Sequence, residues 1–327
     1  MPLALRDYET RQALTMADAI AAIEDACREQ AAGTAIAVER RVMRLPNGWM
    51  RLMPGALIGS GVMGYKALHR TGSSVRYAVH LFDYASGEAL ALMDGSYITA
   101  VRTGAAAGVA VKHLAPAATT TLGVIGSGSE ARTQVEAVGA VRPLRHAKVY
   151  SRDPQRRERF AREMSERLGI EIHAVDEPQK AIEDVEILVV ATNTGGTGPA
   201  LLGRWLHKGL HINSIGSTLR DQREIDPAVW AFADRIVIDS RQVLEESGDG
   251  IAAREANAID ERKVAELHEV VTGKAPGRTQ GGQTTLYKSV GLGLHDVAVA
   301  FRIYRQAAAR GLGHHVEDFQ AVIPAAG

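Results

Sequence analysis

The sequence predicts an α/β fold, with a doubly wound parallel sheet beside a discontinuous α+β domain. Three observations lead there. From residue 119 onward, short apolar strands alternate with amphipathic helices, the pattern of parallel βαβ units. Within that stretch the strand TLGVIG runs into a glycine-rich turn at Gly126. Between residues 38 and 93 the pattern is different, with short β-like runs separated by turn residues, and a helical stretch closes the chain.

Taken in order, residues 15–32 read as a helix. Thr15 stands as N-cap with Asp18 three positions on, and Ala19, Ile20, Ile23, Ala26 and Cys27 form an apolar stripe. VERRVMRLP, WMRLMPGALI, VMGYKALH and VRYAVHLFDY follow as strands of an antiparallel sheet, divided by PNG, GSG, TGSS and ASGE. DGSYITAVRTGAAAGVAVKHL reads as a helix of small residues that allows close packing. The parallel region then offers strands TTTLGVIG, HAKVYS, EIHAV, EILVVAT, GLHINSIG and DRIVIDS. Between them lie helices at SEARTQVEAVGAV, DPQRRERFAREMSERLG and PQKAIEDV. The last segment, from Thr284 to Gly313, reads mostly as one long helix that returns to the first domain. The expected domains are therefore 1–117 with 298–327, and 118–297.

Bulk properties narrow the function. The chain has 327 residues, with 38 Lys plus Arg balancing 38 Asp plus Glu. A neutral chain lacks the basic surplus of a general nucleic-acid binder. Cys27 is its single cysteine, so no internal disulfide is possible, which fits a reducing compartment. With no signal-like segment and no long apolar run, a cytoplasmic protein without a membrane partner is expected. The eleven histidines are scattered, and no metal site is expected.

The turn Gly126-Ser127-Gly128-Ser129-Glu130-Ala131 is a GxGxxA pattern between a strand and a helix. The first glycine permits a tight turn, the second admits a pyrophosphate, and Ala131 lets the helix pack closely on the strand. Free N–H groups at the helix N-terminus complete an anion site. The next strand ends in Ser151-Arg152-Asp153 instead of the acid that holds an NAD ribose. Arg152 suits a 2′-phosphate, with Ser151 as a hydrogen-bond partner, so NADP(H) is expected over NAD(H). The competing reading makes Arg152 a solvated residue and Asp153 merely the N-cap of the following helix.

Beyond this turn, LMPG (52–55), YK (65–66), DGSYITAVRTGAAAG (94–108), GVIGSGSEAR (123–132), VYSRDP (149–154), HINSIGS (211–217), REID (223–226) and KSVGLGLHD (288–296) occur in fixed order. In this the chain resembles the ornithine cyclodeaminase/μ-crystallin family over nearly its whole length. The resemblance implies a homodimer, with a discontinuous N-/C-terminal domain for dimerisation and substrate and a Rossmann-type domain for the cofactor. It also implies that Arg41, Lys66 and Arg102 hold a substrate carboxylate, with Arg40 competing for the place of Arg41. Arg102 lies on a helix otherwise made of small residues, where a lone cation needs an anion; a structural salt bridge, for example to Asp94, is the alternative. Lys66 is a candidate proton shuttle, its ammonium disfavoured by neighbouring arginines. Thr192 with the loop 193–199, and Ser289 and Gly291, are expected beside the nicotinamide.

Two departures from the family pattern bear on substrate. Where cyclodeaminases carry an acid/base aspartate, this chain has Thr218, which points toward the ketimine-reductase side; Thr218 is left to orient substrate or water. Where they carry an acid for the distal amine of ornithine, this chain has Arg51, which would favour an acidic or neutral side chain unless it points outward. His69, Arg70 and Arg76 are further cations of that region. The expected activity is NADPH-dependent reduction of a small α-imino acid. The alternatives are a redox-neutral ammonia lyase with bound NAD and an NADPH-binding protein without turnover.

Overall fold

The structure, a computed structural model, describes residues 1–317. Strand β1 (Leu3–Leu5) leads into helices α1 (Asp7–Ala13) and α2 (Met16–Ala32). Strands β2 (Ala35–Ala37), β3 (Arg41–Leu45), β4 (Gly48–Leu57), β5 (Val62–Thr71), β6 (Ser74–Asp83) and β7 (Ala89–Asp94) follow. Helix α3 (Gly95–Leu114) then precedes β8 (Thr121–Ile125), α4 (Ser129–Val141), β9 (His146–Tyr150), α5 (Pro154–Leu168) and β10 (Glu171–Ala174). Next come β11 (Ile187–Val190), β12 (His211–Ser214), α6 (Pro227–Phe232), β13 (Arg235–Ile238), α7 (Val243–Glu246) and α8 (Gly248–Glu255). The chain closes with β14 (Val264–Glu266), α9 (Leu267–Val271), β15 (Thr285–Lys288), α10 (Gly293–Ala309) and β16 (His314–His315).

Two compact units result: Met1–Arg102 with the chain from Leu292 onward, and Thr103–Gly291. The limits fall within α3 and just before α10, against limits expected at 117 and 297; residues 318–327 of the expected first domain lie outside the described residues.

The first unit holds an eight-stranded sheet in the order β16-β1-β7-β6-β5-β4-β2, with β3 also paired to β4. The strands β2–β7 pair antiparallel, as the alternating runs predict. Along β4 and β5 burial alternates, so Met53, Gly55, Leu57, Val62, Lys66 and Leu68 line the covered face. Helix α10 packs there because both partners lack side chains at the crossing. A Cβ on Gly55 would sit 2.8 Å from the Leu294 backbone, and one on Gly293 would run into the Met53 and Pro54 carbonyls. Helix α2 has the foreseen capping box between Thr15 and Asp18, and Gly33 ends it in the left-handed region at φ 76°.

In the second unit all eight strands are parallel, in the order β10-β9-β8-β11-β12-β15-β13-β14. Strand order reverses between β8 and β11, so the crest beyond β8 is the topological switch point where ligands of such sheets bind. Two expectations fail here. Residues 179–181 form only a single 3₁₀ turn where PQKAIEDV read as a helix. The segment Thr285–Lys288 is a fully buried central strand and not the start of the last helix. A short β-branched and aromatic run closed by Gly291, at φ 84°, favours a strand once both neighbours are present.

Candidate functional site

In the first unit, Lys66 projects from β5 and Arg102 from α3 onto one carboxylate, that of Asp296 in the first turn of α10. Lys66 Nζ donates to Asp296 Oδ1 at 2.8 Å, and Arg102 Nε donates to the same oxygen at 3.0 Å. All three residues are buried, Lys66 at 1% and Asp296 at 0% exposure. The three groups together carry one positive charge. The other oxygen, Asp296 Oδ2, is buried and accepts no hydrogen bond. A helix N-terminus, where Asp296 lies, suits a negative charge. The close approach at Gly55 and Gly293 sets that helix end against the sheet, which is why LMPG and GLGLHD belong together.

This arrangement revises several expectations. The carboxylate partner of Arg102 is Asp296, whereas Asp94 accepts from the Ser96 amide at the start of α3. Lys66 is likewise paired with Asp296, at 2.8 Å. Arg41 is exposed and pairs with Leu52, so it lies on the sheet face opposite Met53 and its partner Lys66. Arg40 is half-buried, with both terminal guanidinium nitrogens shielded from solvent. Arg51 shares the face of Lys66 and is buried, its guanidinium 5.3 Å from the Trp49 ring centroid. His69, Arg70 and Arg76 are exposed.

In the second unit the turn after β8 has the geometry of a phosphate cradle. Gly126 has φ 120°, and a Cβ there would collide with the Ala191 carbonyl, so only glycine fits. Gly128 opens onto free space, with nothing within 4 Å of a built Cβ. Helix α4 begins at Ser129 with Glu130 half-buried in its first turn, and Ala131 is fully buried beneath it. Arg132 braces the turn by donating to the Ser127 and Gly128 carbonyls at 3.0 and 3.3 Å. Ser127 donates to Ser151 across to the end of β9 at 3.0 Å. Arg152 is exposed there, and Asp153 is occupied as N-cap of α5, accepting from the Arg156 amide. These residues fit a dinucleotide: an open glycine, a helix N-terminus and a basic strand end.

The crest around β11, β12 and β15 is organised by buried charges that the sequence reading did not single out. Glu224 accepts from the Thr192 amide at 2.6 Å and hydroxyl at 3.0 Å, from Ser214 at 2.7 Å and from the Gly216 amide at 2.8 Å. Thr192 thus commits both its donors to Glu224. Burial pushes the Glu224 carboxyl above its ordinary value, opposed chiefly by Lys288. Lys288, itself fully buried, pairs with Asp249 at 2.7 Å and donates to Ser214 and the Gly216 carbonyl. Thr218 is half-buried two residues beyond Gly216, after Ser217 in the left-handed region at φ 56°. Asp239 gathers the other turn, accepting from the Ser289 hydroxyl and the Val290 and Gly291 amides within 3.0 Å. Glu224 lies within REID and Asp239 within DRIVIDS, whereas Asp249 lies in no quoted segment. For Asp239 the available signal was an acid at the end of an apolar strand, which demands internal partners.

Residues 3–311 match the family described as ornithine cyclodeaminase/mu-crystallin. A Delta(1)-pyrroline-2-carboxylate reductase of Bacillus cereus is 32% identical over 326 residues, covering 96% of this chain and 99% of that one. The structure of Thermococcus litoralis Delta(1)-pyrroline-2-carboxylate reductase, in complex with NADH and L-proline, superposes with a TM-score of 0.91 at 38% identity, covering 96% of this chain and 100% of the other. The iminosuccinate reductase of Paracoccus denitrificans, in complex with NAD+, gives a TM-score of 0.89 at 28% identity, covering 97% and 99%.

Proposed function

The chain belongs to the ornithine cyclodeaminase/mu-crystallin family, and from that premise we propose that it reduces small α-imino acids with a nicotinamide cofactor, adding hydride to the carbon of the C=N bond. The observation that carries this reading is the buried set Lys66, Arg102 and Asp296, two cations on one carboxylate oxygen. Such a set has donors and charge for a second carboxylate, that of an α-imino acid. Fixing the carboxylate fixes the adjacent C2, so positioning supplies much of the rate. The bound nicotinamide supplies the hydride.

Within this proposal Lys66 and Arg102 bind the carboxylate, with Arg40 in the place first given to Arg41. Lys66, held against Asp296, serves as a carboxylate ligand and not as the proton carrier. Thr218 has no carboxyl to act as base and orients substrate or water. Gly126 to Ala131 hold the pyrophosphate, while the Thr192, Ser289 and Gly291 turns shape the nicotinamide end. The cofactor assigned is NADPH ahead of NADH: Arg152 and Ser151 end β9, and Asp153 is spent on capping α5. The relatives' own complexes with NADH and NAD+ make the ratio of the two cofactors the quantity to measure.

A homodimer accompanies this reading. Ile36, Met43, Leu45 and Leu52 are 36–54% exposed on one face of the β2–β4 end of the first unit, an apolar surface suited to a second copy of the chain. No helix among the described residues is long and apolar enough to cross a membrane, and a cytoplasmic location is assigned with the single buried thiol of Cys27.

The test is nicotinamide absorbance with pyrroline-2-carboxylate, iminosuccinate, or keto acids plus ammonium or methylamine. Oxidation that requires the imine supports the proposal. Ammonia released from ornithine, with no net change in cofactor, would establish the lyase instead.

A further inference from the structure

A buried carboxylate oxygen without a donor is costly and asks for an explanation. Asp296 Oδ2 is such an atom, beside an Oδ1 already shared by Lys66 and Arg102. In an α-imino acid the nitrogen is attached to C2, the atom next to the carboxylate carbon. A ligand whose carboxylate lies on Lys66 and Arg102 therefore carries its nitrogen within reach of the carboxylate those cations share. We propose that Asp296 Oδ2 accepts the N–H of the substrate's protonated imine, so that this cluster reads both ends of the α-imino acid motif.

The inference rests on the proposed reductase activity and deepens it. The reacting species is the iminium, already carrying its proton. Hydride from the reduced cofactor forms the new C2–H bond, and the C=N π pair becomes the lone pair of an amine. The substrate is reduced and the nicotinamide oxidised, with no proton transferred in that step. The Asp296 carboxylate stabilises the positive nitrogen that makes C2 electrophilic. This accounts for a reductase with a threonine at position 218: no carboxylic acid is needed there when the proton arrives on the substrate. The neutral imine, lacking the N–H, gains nothing from Oδ2.

The experiment compares two ligands of one shape, in the presence of oxidised cofactor. L-proline has a ring ammonium, and tetrahydrofuran-2-carboxylate has a ring oxygen in its place. A hydrogen bond between charged groups corresponds to about tenfold to a hundredfold in affinity. Wild-type protein should favour proline by that factor, and Asp296→Asn should abolish the preference while still binding the oxygen analogue. Equal affinities in wild type would overturn the inference and leave the reductase reading standing. Parallel weakening of both ligands in Asp296→Asn would make Asp296 purely structural and overturn it as well. Failure of wild type to bind either ligand would remove the carboxylate site itself, and both readings with it. The wild-type comparison decides the matter even where the variant folds poorly.

Discussion

Replacing Lys66 with methionine separates ligand binding from folding. Methionine keeps the length and apolar stem of lysine but removes the ammonium. In the structure, Asp296 Oδ1 then retains Arg102 Nε at 3.0 Å, so no carboxylate is stranded. The three-group cluster falls from one net positive charge to none. Folding stability should change by well under the roughly 3–5 kcal/mol of breaking a buried ion pair outright. Binding should suffer more, because one charge-assisted hydrogen bond to the ligand, about 1.5–3 kcal/mol, disappears. At about 1.4 kcal/mol per decade this is roughly a tenfold to 150-fold loss of affinity. Calorimetric titration with L-proline and oxidised cofactor reads the affinity, and urea unfolding reads the stability. Unchanged proline affinity in a well-folded Lys66→Met would make Lys66 a structural ion-pair partner only and rule out its role as carboxylate ligand.

Other outcomes follow from the same geometry. Arg152→Asp should lower kcat/KM for NADPH by about 30-fold, an Arg–phosphate interaction of about 2 kcal/mol, and leave NADH equal or better; steady-state kinetics with both cofactors checks it. Gly55→Ala puts a Cβ 2.8 Å from the Leu294 backbone, so α10 must shift at a cost of about 1–3 kcal/mol, with KM for the imino acid rising through displacement of Asp296; unfolding and kinetics together report it. His211 is buried, and burial lowers its folded pKa from 6.5 to about 3. The unfolded chain therefore binds the extra proton first, and stability present above pH 6.5 is lost as pH falls through that window. The loss is about 1.4 kcal/mol per pH unit, or about 2 kcal/mol between pH 6.5 and pH 5, and a His211→Gln variant should lack this component in urea titrations. Met43→Glu, at a site 54% exposed, should shift a dimer toward monomer in sedimentation without unfolding the chain.

Period and punctuation made most elements legible. Alternation along β4 and β5, the Thr15–Asp18 box and the glycine turn at Gly126 each follow from local chemistry, and each appears where that chemistry puts it. What local chemistry cannot carry is which distant residue completes a pair. Lys66 and Arg102 stand out as cations in apolar settings, but Asp296 lies 230 residues from the first and 194 from the second. Arg40 and Arg41 are adjacent, and only the register of Arg41 against Leu52 tells the exposed residue from its half-buried neighbour. The strand Thr285–Lys288 looks helical in isolation because its burial between β12 and β13 is a property of the finished sheet. The partners of Glu224, Asp239 and Asp249 were unreadable for the same reason: they are backbone amides and a lysine brought together by crossovers.

In the proposed reaction, hydride from the cofactor ends on C2 of an α-imino acid. The direct test is to supply cofactor deuterated at the transferable position of nicotinamide C4, with pyrroline-2-carboxylate, and to examine the amino acid formed by mass spectrometry and proton NMR. The product should carry one deuterium, at C2, with cofactor oxidised in equal amount. An unlabelled product, or no product from any α-imino acid while ornithine yields ammonia, would contradict it.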